Sequence, residues 1–126
     1  MKMRFCSVDA NKVLQYVYEK YGSKPEFLWS KFPNNAILRH KDGSKWYAAI
    51  LSVEKQKLGI DDAGDVEIPD LKCGAVMAGA LRDGKCFFPA YHMNKEYWIT
   101  LLLNGSIPID EIYALIDLSF DMTKKP

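Results

Sequence analysis

The sequence predicts an α+β fold: an antiparallel sheet with the N- and C-terminal helices packed on one face and a short helix inserted between strands. Three observations lead there. Val13, Val17 and Tyr21 lie four apart, with Leu14 and Tyr18 beside them, which makes one apolar helical stripe near the start. The middle of the chain instead alternates large apolar groups and is cut by Asp-Gly and Asn-Gly turns. Near the end, Ile112, Leu115, Ile116 and Ser119 or Phe120 return to helical spacing. Two terminal helices bury their stripes most simply side by side on one sheet face.

The elements follow in order. Ser7 or Asp9 caps the first helix, and Gly22 stops it. Residues 23–33 form a connector rich in aromatics (Phe27, Trp29, Phe32), expected to fold over an edge of the core. A short strand over residues 36–40 turns at Lys41-Asp42-Gly43-Ser44. The return strand, residues 46–53, is expected to put Tyr47, Ala49, Leu51 and Val53 on one face, with Trp46, Ala48, Ile50 and Ser52 on the other. A further short strand is expected over residues 55–60. Val66 and Ile68 share a face of the next strand, which Pro69 marks as an edge or a bulge. Residues 73–81 read as a short helix rich in Ala and Gly, and Asp83-Gly84 as a turn. Residues 97–103 read as a strand with large apolar groups on both faces, hence a central one, and Pro89 keeps residues 87–91 off a central ladder. Pro108 opens the last helix, with Asp110 and Glu111 suited to the positive end of its dipole.

A chain of 126 residues has the size of one domain, with no internal repeat and no linker, so residues 1–126 are read as a single unit. The net charge of +1 argues against a strongly basic nucleic-acid binder, but the charge is segregated. Residues 39–57 carry a local +3 and residues 72–95 another +3, whereas residues 58–71 and 96–121 each carry −5. Such blocks can fold into a basic and an acidic face. Cys6, Cys73 and Cys86 are odd in number and hold no Cys-x-x-Cys pair, which disfavours a disulfide framework or a zinc site. No stretch reads as a signal peptide or a membrane span, so the expectation is a cytoplasmic protein without membrane contact.

The most specific pattern lies in residues 87–106, FFPAYHMNKEYWITLLLNGS. Tyr91, His92, Met93, Asn94, Lys95 and Trp98, followed by Ser119-Phe120, resemble the C-terminal signature of the MmcQ/YjbR family. Lys45-Trp46-Tyr47 and Leu71-Lys72-Cys73 match upstream motifs of that family. Phe120 stands where the family more often has Tyr, and Cys73 where it more often has an acidic residue. The resemblance implies a CyaY-like two-layer sandwich and a DNA-binding role through two hairpin wings.

On the residues themselves, weak, salt-dependent DNA binding would draw phosphate contacts from Arg39, Lys41, Lys45, Lys72 and Lys95, with His40 and Ser44 at the same hairpin tip. Trp46 and Trp98 could stack on bases or close a second small core. The alternative is a small-molecule or protein-interaction module with a pocket near Trp46, Tyr91, His92 and Trp98. Catalysis would need Cys73, at a helix start beside Lys72, or Cys86 to meet His92, and no recognised Cys-His spacing exists. No catalytic residue, metal ligand or cofactor is assigned: His40 and His92 lie at no ligand spacing, and Gly74 to Gly79 lacks the Lys-Ser/Thr of a phosphate loop. The expectation is a non-catalytic binding protein. The acidic first helix on which frataxins bind iron is not matched, since Asp9 and Glu19 stand against Lys12 and Lys20.

Overall fold

The computed structural model describes residues 8–43 and 45–124, so Cys6, the Ser7 cap and Ser44 lie outside the described residues. The elements are α1 (Val8–Tyr21), β1 (Ala36–Arg39), β2 (Trp46–Glu54), β3 (Asp65–Lys72), α2 (Ala75–Leu81), β4 (Phe87–Pro89), β5 (Trp98–Leu101) and α3 (Ile109–Met122). The five strands form one antiparallel sheet in the order β1-β2-β3-β5-β4. This is an α+β fold.

One face of the sheet is closed by α1 and α3. Ala10, Val13, Leu14 and Val17 of α1 and Ile112, Leu115 and Ile116 of α3 meet Leu38, Ile50, Leu71, Ile99 and Leu101 from four strands. Each Val, Leu or Ile among them, fully buried, contributes roughly 1.5–3 kcal/mol. The aromatic of the Ser119-Phe120 pair stacks on Tyr21 with centroids 3.8 Å apart, joining the two helices. Ser119 fastens α3 to the sheet. Its Oγ donates to the Tyr47 carbonyl at 2.5 Å and accepts the Lys72 amide at 2.9 Å, so one buried hydroxyl holds two neighbouring strands. Asp117 ties α3 to α1 by accepting from the hydroxyls of Tyr16 and Tyr21 and from the Lys20 ammonium. Burial pushes its carboxyl up, but the bonds from Tyr21, Lys20 and Tyr16 outweigh that and hold it below the usual range.

The other face carries a second, smaller cluster: Ile37, Ala49, Leu51, Val53, Val66, Ile68, Phe88 and Leu102. Among the described residues no long helix covers it. Trp29, Trp46, Leu58, Ile60 and Tyr91 pack around it, leaving part of the face as a cleft.

Several expectations need correction. β1 pairs Leu38 with Ala48 and Arg39 with Trp46, so Tyr47 is an extra residue in a bulge. The bulge turns Tyr47 into the helix-side core and sends Trp46 to the opposite cluster, reversing their expected faces. Inside, the Tyr47 hydroxyl donates to Ser23 Oγ at 2.6 Å. Residues 55–60 are not a strand: Lys55–Leu58 is a 3-10 turn closed by Gly59 in the left-handed region, φ 83°. Pro69 lies in an interior strand, opposite Ile50 of β2. Pairing of β3 with β5 runs from Asp70 to Lys72 and resumes where Leu103 donates to the Glu67 carbonyl at 2.9 Å, so the missing N–H falls in the interval. β5 is shorter than the alternation suggested, beginning at Trp98, because Tyr97 belongs to the preceding turn. It is nonetheless interior, and Pro89 sits on the outer strand β4.

Candidate functional site

The cleft on the second face has a volume of about 690 Å³. Its floor is β2, through Ala49, Leu51 and Val53, together with Asp70 of β3. One wall is the connector carrying Trp29, Phe32 and Asn35; another is the turn carrying Tyr91, His92 and Met93. The connector is held in place at both ends. Glu26 exchanges two backbone hydrogen bonds with Ile37 at 3.0 Å, and Asn35 Oδ1 accepts the Ser52 amide at 2.9 Å. Trp29 meets Trp46 edge to face, with centroids 6.0 Å apart.

The opposite wall is built by the Tyr-His-Met-Asn-Lys motif. Asn94 Oδ1 accepts the amides of Glu96 at 2.8 Å and Tyr97 at 3.3 Å, and its carbonyl accepts Trp98 at 2.9 Å. The turn then joins the start of α2, where the Tyr97 carbonyl accepts the amides of Cys73 and Gly74. His92 has φ 61°, in the left-handed region, and its ring lies 3.9 Å from that of Tyr91. A histidine there costs backbone energy that glycine would avoid.

Asp70 is the polar group at the bottom of the cleft, and it is fully buried. Thr100, its cross-strand partner, donates a short hydrogen bond to Oδ1 and accepts the Tyr91 amide at 2.9 Å. Oδ2 is buried and has no hydrogen-bond partner among the described residues. Burial raises the carboxyl to about 7, against opposing contributions from the Thr100 hydroxyl, the Tyr91 backbone and the Lys95 charge. Buried polar atoms in folded proteins are nearly always satisfied, which singles out Oδ2 on this face of the sheet.

The expected pocket residues are mostly brought together. Trp46, Tyr91 and His92 line the cleft; Trp98 does not, being half-buried beside Lys72 on the paired strand. Asp70 was missed, although a signal existed: it continues the alternation of Val66 and Ile68, an acid where an apolar residue is due.

The basic residues reach one end of the sheet, where Arg39 pairs with Trp46 and Lys72 with Trp98. They are not equally available. Arg39 is ion-paired with Glu26 at 3.1 Å. Lys41 leans over Gly22 at the C-terminus of α1, so close that a Cβ there would meet its Nζ at 2.8 Å. Lys45 and Lys95 are exposed. His40 is no phosphate ligand. It is buried against Tyr47 and Phe120 and bonded to Thr123 Oγ1 at 2.8 Å, and burial lowers its pKa.

Cys73 is buried before α2 rather than exposed at a helix start, and desolvation raises its thiol pKa, the reverse of activation. Among the described residues no three of His, Cys, Asp or Glu cluster closely enough to hold a metal ion, and no helix is long and apolar enough to cross a membrane.

Fold and cleft together define a small α+β domain with one sheet face closed by helices and the other left partly open. Residues 18–122 match the family model described as YjbR, and the chain belongs to the YjbR family. It is 45% identical over 112 residues to the uncharacterized protein YyaQ of Bacillus subtilis, covering 89% of this chain and 95% of that one. A segment of 32 residues is 47% identical to the uncharacterized protein YjbR of Escherichia coli, covering 25% of this chain and 27% of that one. A crystal structure of a Pseudomonas syringae protein superposes with a TM-score of 0.86 at 43% identity, over 90% of this chain and 97% of that one. A Deinococcus radiodurans protein at 21% identity and TM-score 0.66, over 90% of this chain and 78% of that one, shares the fold.

Proposed function

We propose that this chain is a non-catalytic, cytoplasmic small-molecule-binding protein whose ligand sits in the cleft between the Trp29 connector and the Tyr91-His92 turn. The observation that carries this reading is the buried Oδ2 of Asp70, without a hydrogen-bond partner among the described residues, beside the apolar floor of Ala49, Leu51 and Val53 in a cleft whose rim carries both charges. Cleft volume and lining match those of small-ligand sites, which are mostly apolar with a few placed polar groups. Trp29 and Trp46 report occupancy directly. A metabolite panel followed by tryptophan fluorescence and thermal shift is expected to yield a binder, and Ala49→Phe, which fills the floor, is expected to abolish its binding. Loss of neither signal in that variant would rule the cleft out.

A second reading, weak DNA binding along the sheet end, is favoured by one observation: strand register places Arg39, Trp46, Lys72 and Trp98 at that end, with Lys41, Lys45 and Lys95 on the flanking turns. It predicts affinity that falls steeply with salt and is lost in Lys41→Glu and Lys45→Glu. An electrophoretic titration unaffected by those changes would dispose of it.

A further inference from the structure

Resting on the ligand-binding reading, we infer that Asp70 anchors a flat aromatic ligand carrying a cationic N–H edge, an amidinium or protonated amino-heterocycle, with that edge on Oδ2 and the ring along Trp46 and Tyr91. The bonding around Thr100 fixes the polarity of the site. Thr100 Oγ1 accepts the Tyr91 amide and donates its own proton to Asp70 Oδ1, so Oδ1 acts as an acceptor. The free valence of the carboxyl is therefore Oδ2. When Asp70 is neutral its proton resides there; when ionised, its unshared charge is there.

An ionised carboxylate in an apolar site is costly unless a cation or donor meets it. Among the described residues none forms an ion pair with Asp70, and Lys95 acts on it only at a distance. The other charged groups around the cleft are Lys31, Lys57, Glu54 and Asp65, with His92 on the opposite wall, so neither sign dominates its mouth. The floor itself is acidic and its walls are aromatic. A planar cation with two N–H groups suits both, since a carboxylate oxygen takes charge-assisted donors and indole and phenol faces take flat π systems. A bound cation would hold Asp70 ionised and expel its proton.

The test compares benzamidinium with benzamide, its neutral counterpart of nearly the same shape, by NMR shift titration of the intact chain at millimolar concentration. Benzamidinium is expected to bind about tenfold more tightly, the scale of a charge-assisted hydrogen bond. Calorimetry at pH 6 in buffers of differing ionisation enthalpy is expected to show release of about one proton on binding benzamidinium and none with benzamide. Asp70→Asn should erase the preference while keeping benzamide binding. Equal affinities, or a preference that survives Asp70→Asn, would overturn the inference. Should that variant not fold, the amide shifts of Asp70, Tyr91 and Thr100 in the unaltered chain decide, and benzamidinium that moves none of them overturns it. Benzamide binding that Ala49→Phe abolishes, without preference for the cation, sinks only the Asp70 assignment; no binding of either probe sinks the cleft reading as well.

Discussion

The hydroxyl of Thr100 stands between Asp70 and Tyr91, accepting the amide of one at 2.9 Å and donating to the carboxylate of the other. A single side chain thus connects the cleft floor to the turn that walls it. Thr100→Val keeps the shape and removes both bonds, stranding a buried carboxylate oxygen and an amide. A loss of about 1–3 kcal/mol is expected in urea unfolding. Because the Thr100 bond holds the Asp70 pKa down, its removal should push that pKa higher still, which a carbon-13 carboxyl titration reads.

Asp70 also sets a pH dependence. Its folded pKa, about 7, exceeds the ordinary carboxylate value, so between roughly pH 4 and 7 the folded chain holds a proton that the unfolded chain has given up. Its contribution to stability is complete below the unfolded pKa and disappears as pH rises through about 7. Unfolding midpoints should therefore fall from pH 5 to pH 8 in the unaltered chain by more than in Asp70→Asn. Parallel profiles would show that Asp70 ionises normally.

Ser119→Ala removes the hydroxyl that serves the Tyr47 carbonyl and the Lys72 amide at once. A loss of about 2–3 kcal/mol is expected, larger than for an ordinary helix serine, because two buried backbone groups lose their partner. Hydrogen exchange at the Lys72 amide should accelerate beyond the global change.

His92→Gly relieves the left-handed backbone at φ 61°. Stability should hold or rise by up to about 1 kcal/mol, while ligand affinity falls because the wall beside Tyr91 is lost. A clear loss of stability would assign His92 to the architecture instead.

Much of the fold was legible because its signals are local. The buried stripe of Val13, Leu14 and Val17, the acids Asp110 and Glu111 in the first turn of α3, and Pro89 on an outer strand all follow from spacing and backbone chemistry, whereas Tyr18 of the expected stripe is exposed. What escaped was set by partners far along the chain. Trp46 and Tyr47 exchange faces because β1 imposes a bulge, which no alternation within β2 can announce. Pro69 tolerates an interior strand because β5 leaves a gap opposite it. His40 reads as a solvent-facing turn residue until Thr123, 83 positions later, takes its ring nitrogen. At the site, the aromatic and histidine residues stood out by their rarity. Asp70 did not, since its role comes from desolvation and from Thr100, neither of which is written in its neighbours.

The sheet keeps two apolar clusters on opposite sides, and α1 and α3 are fastened to only one of them. Changes lining the open side can therefore accumulate while the helix-backed side continues to carry folding. Substitutions at the half-buried rim of Trp29, Trp46 and Tyr91 can reshape the cleft without touching the residues on which α1 and α3 are seated.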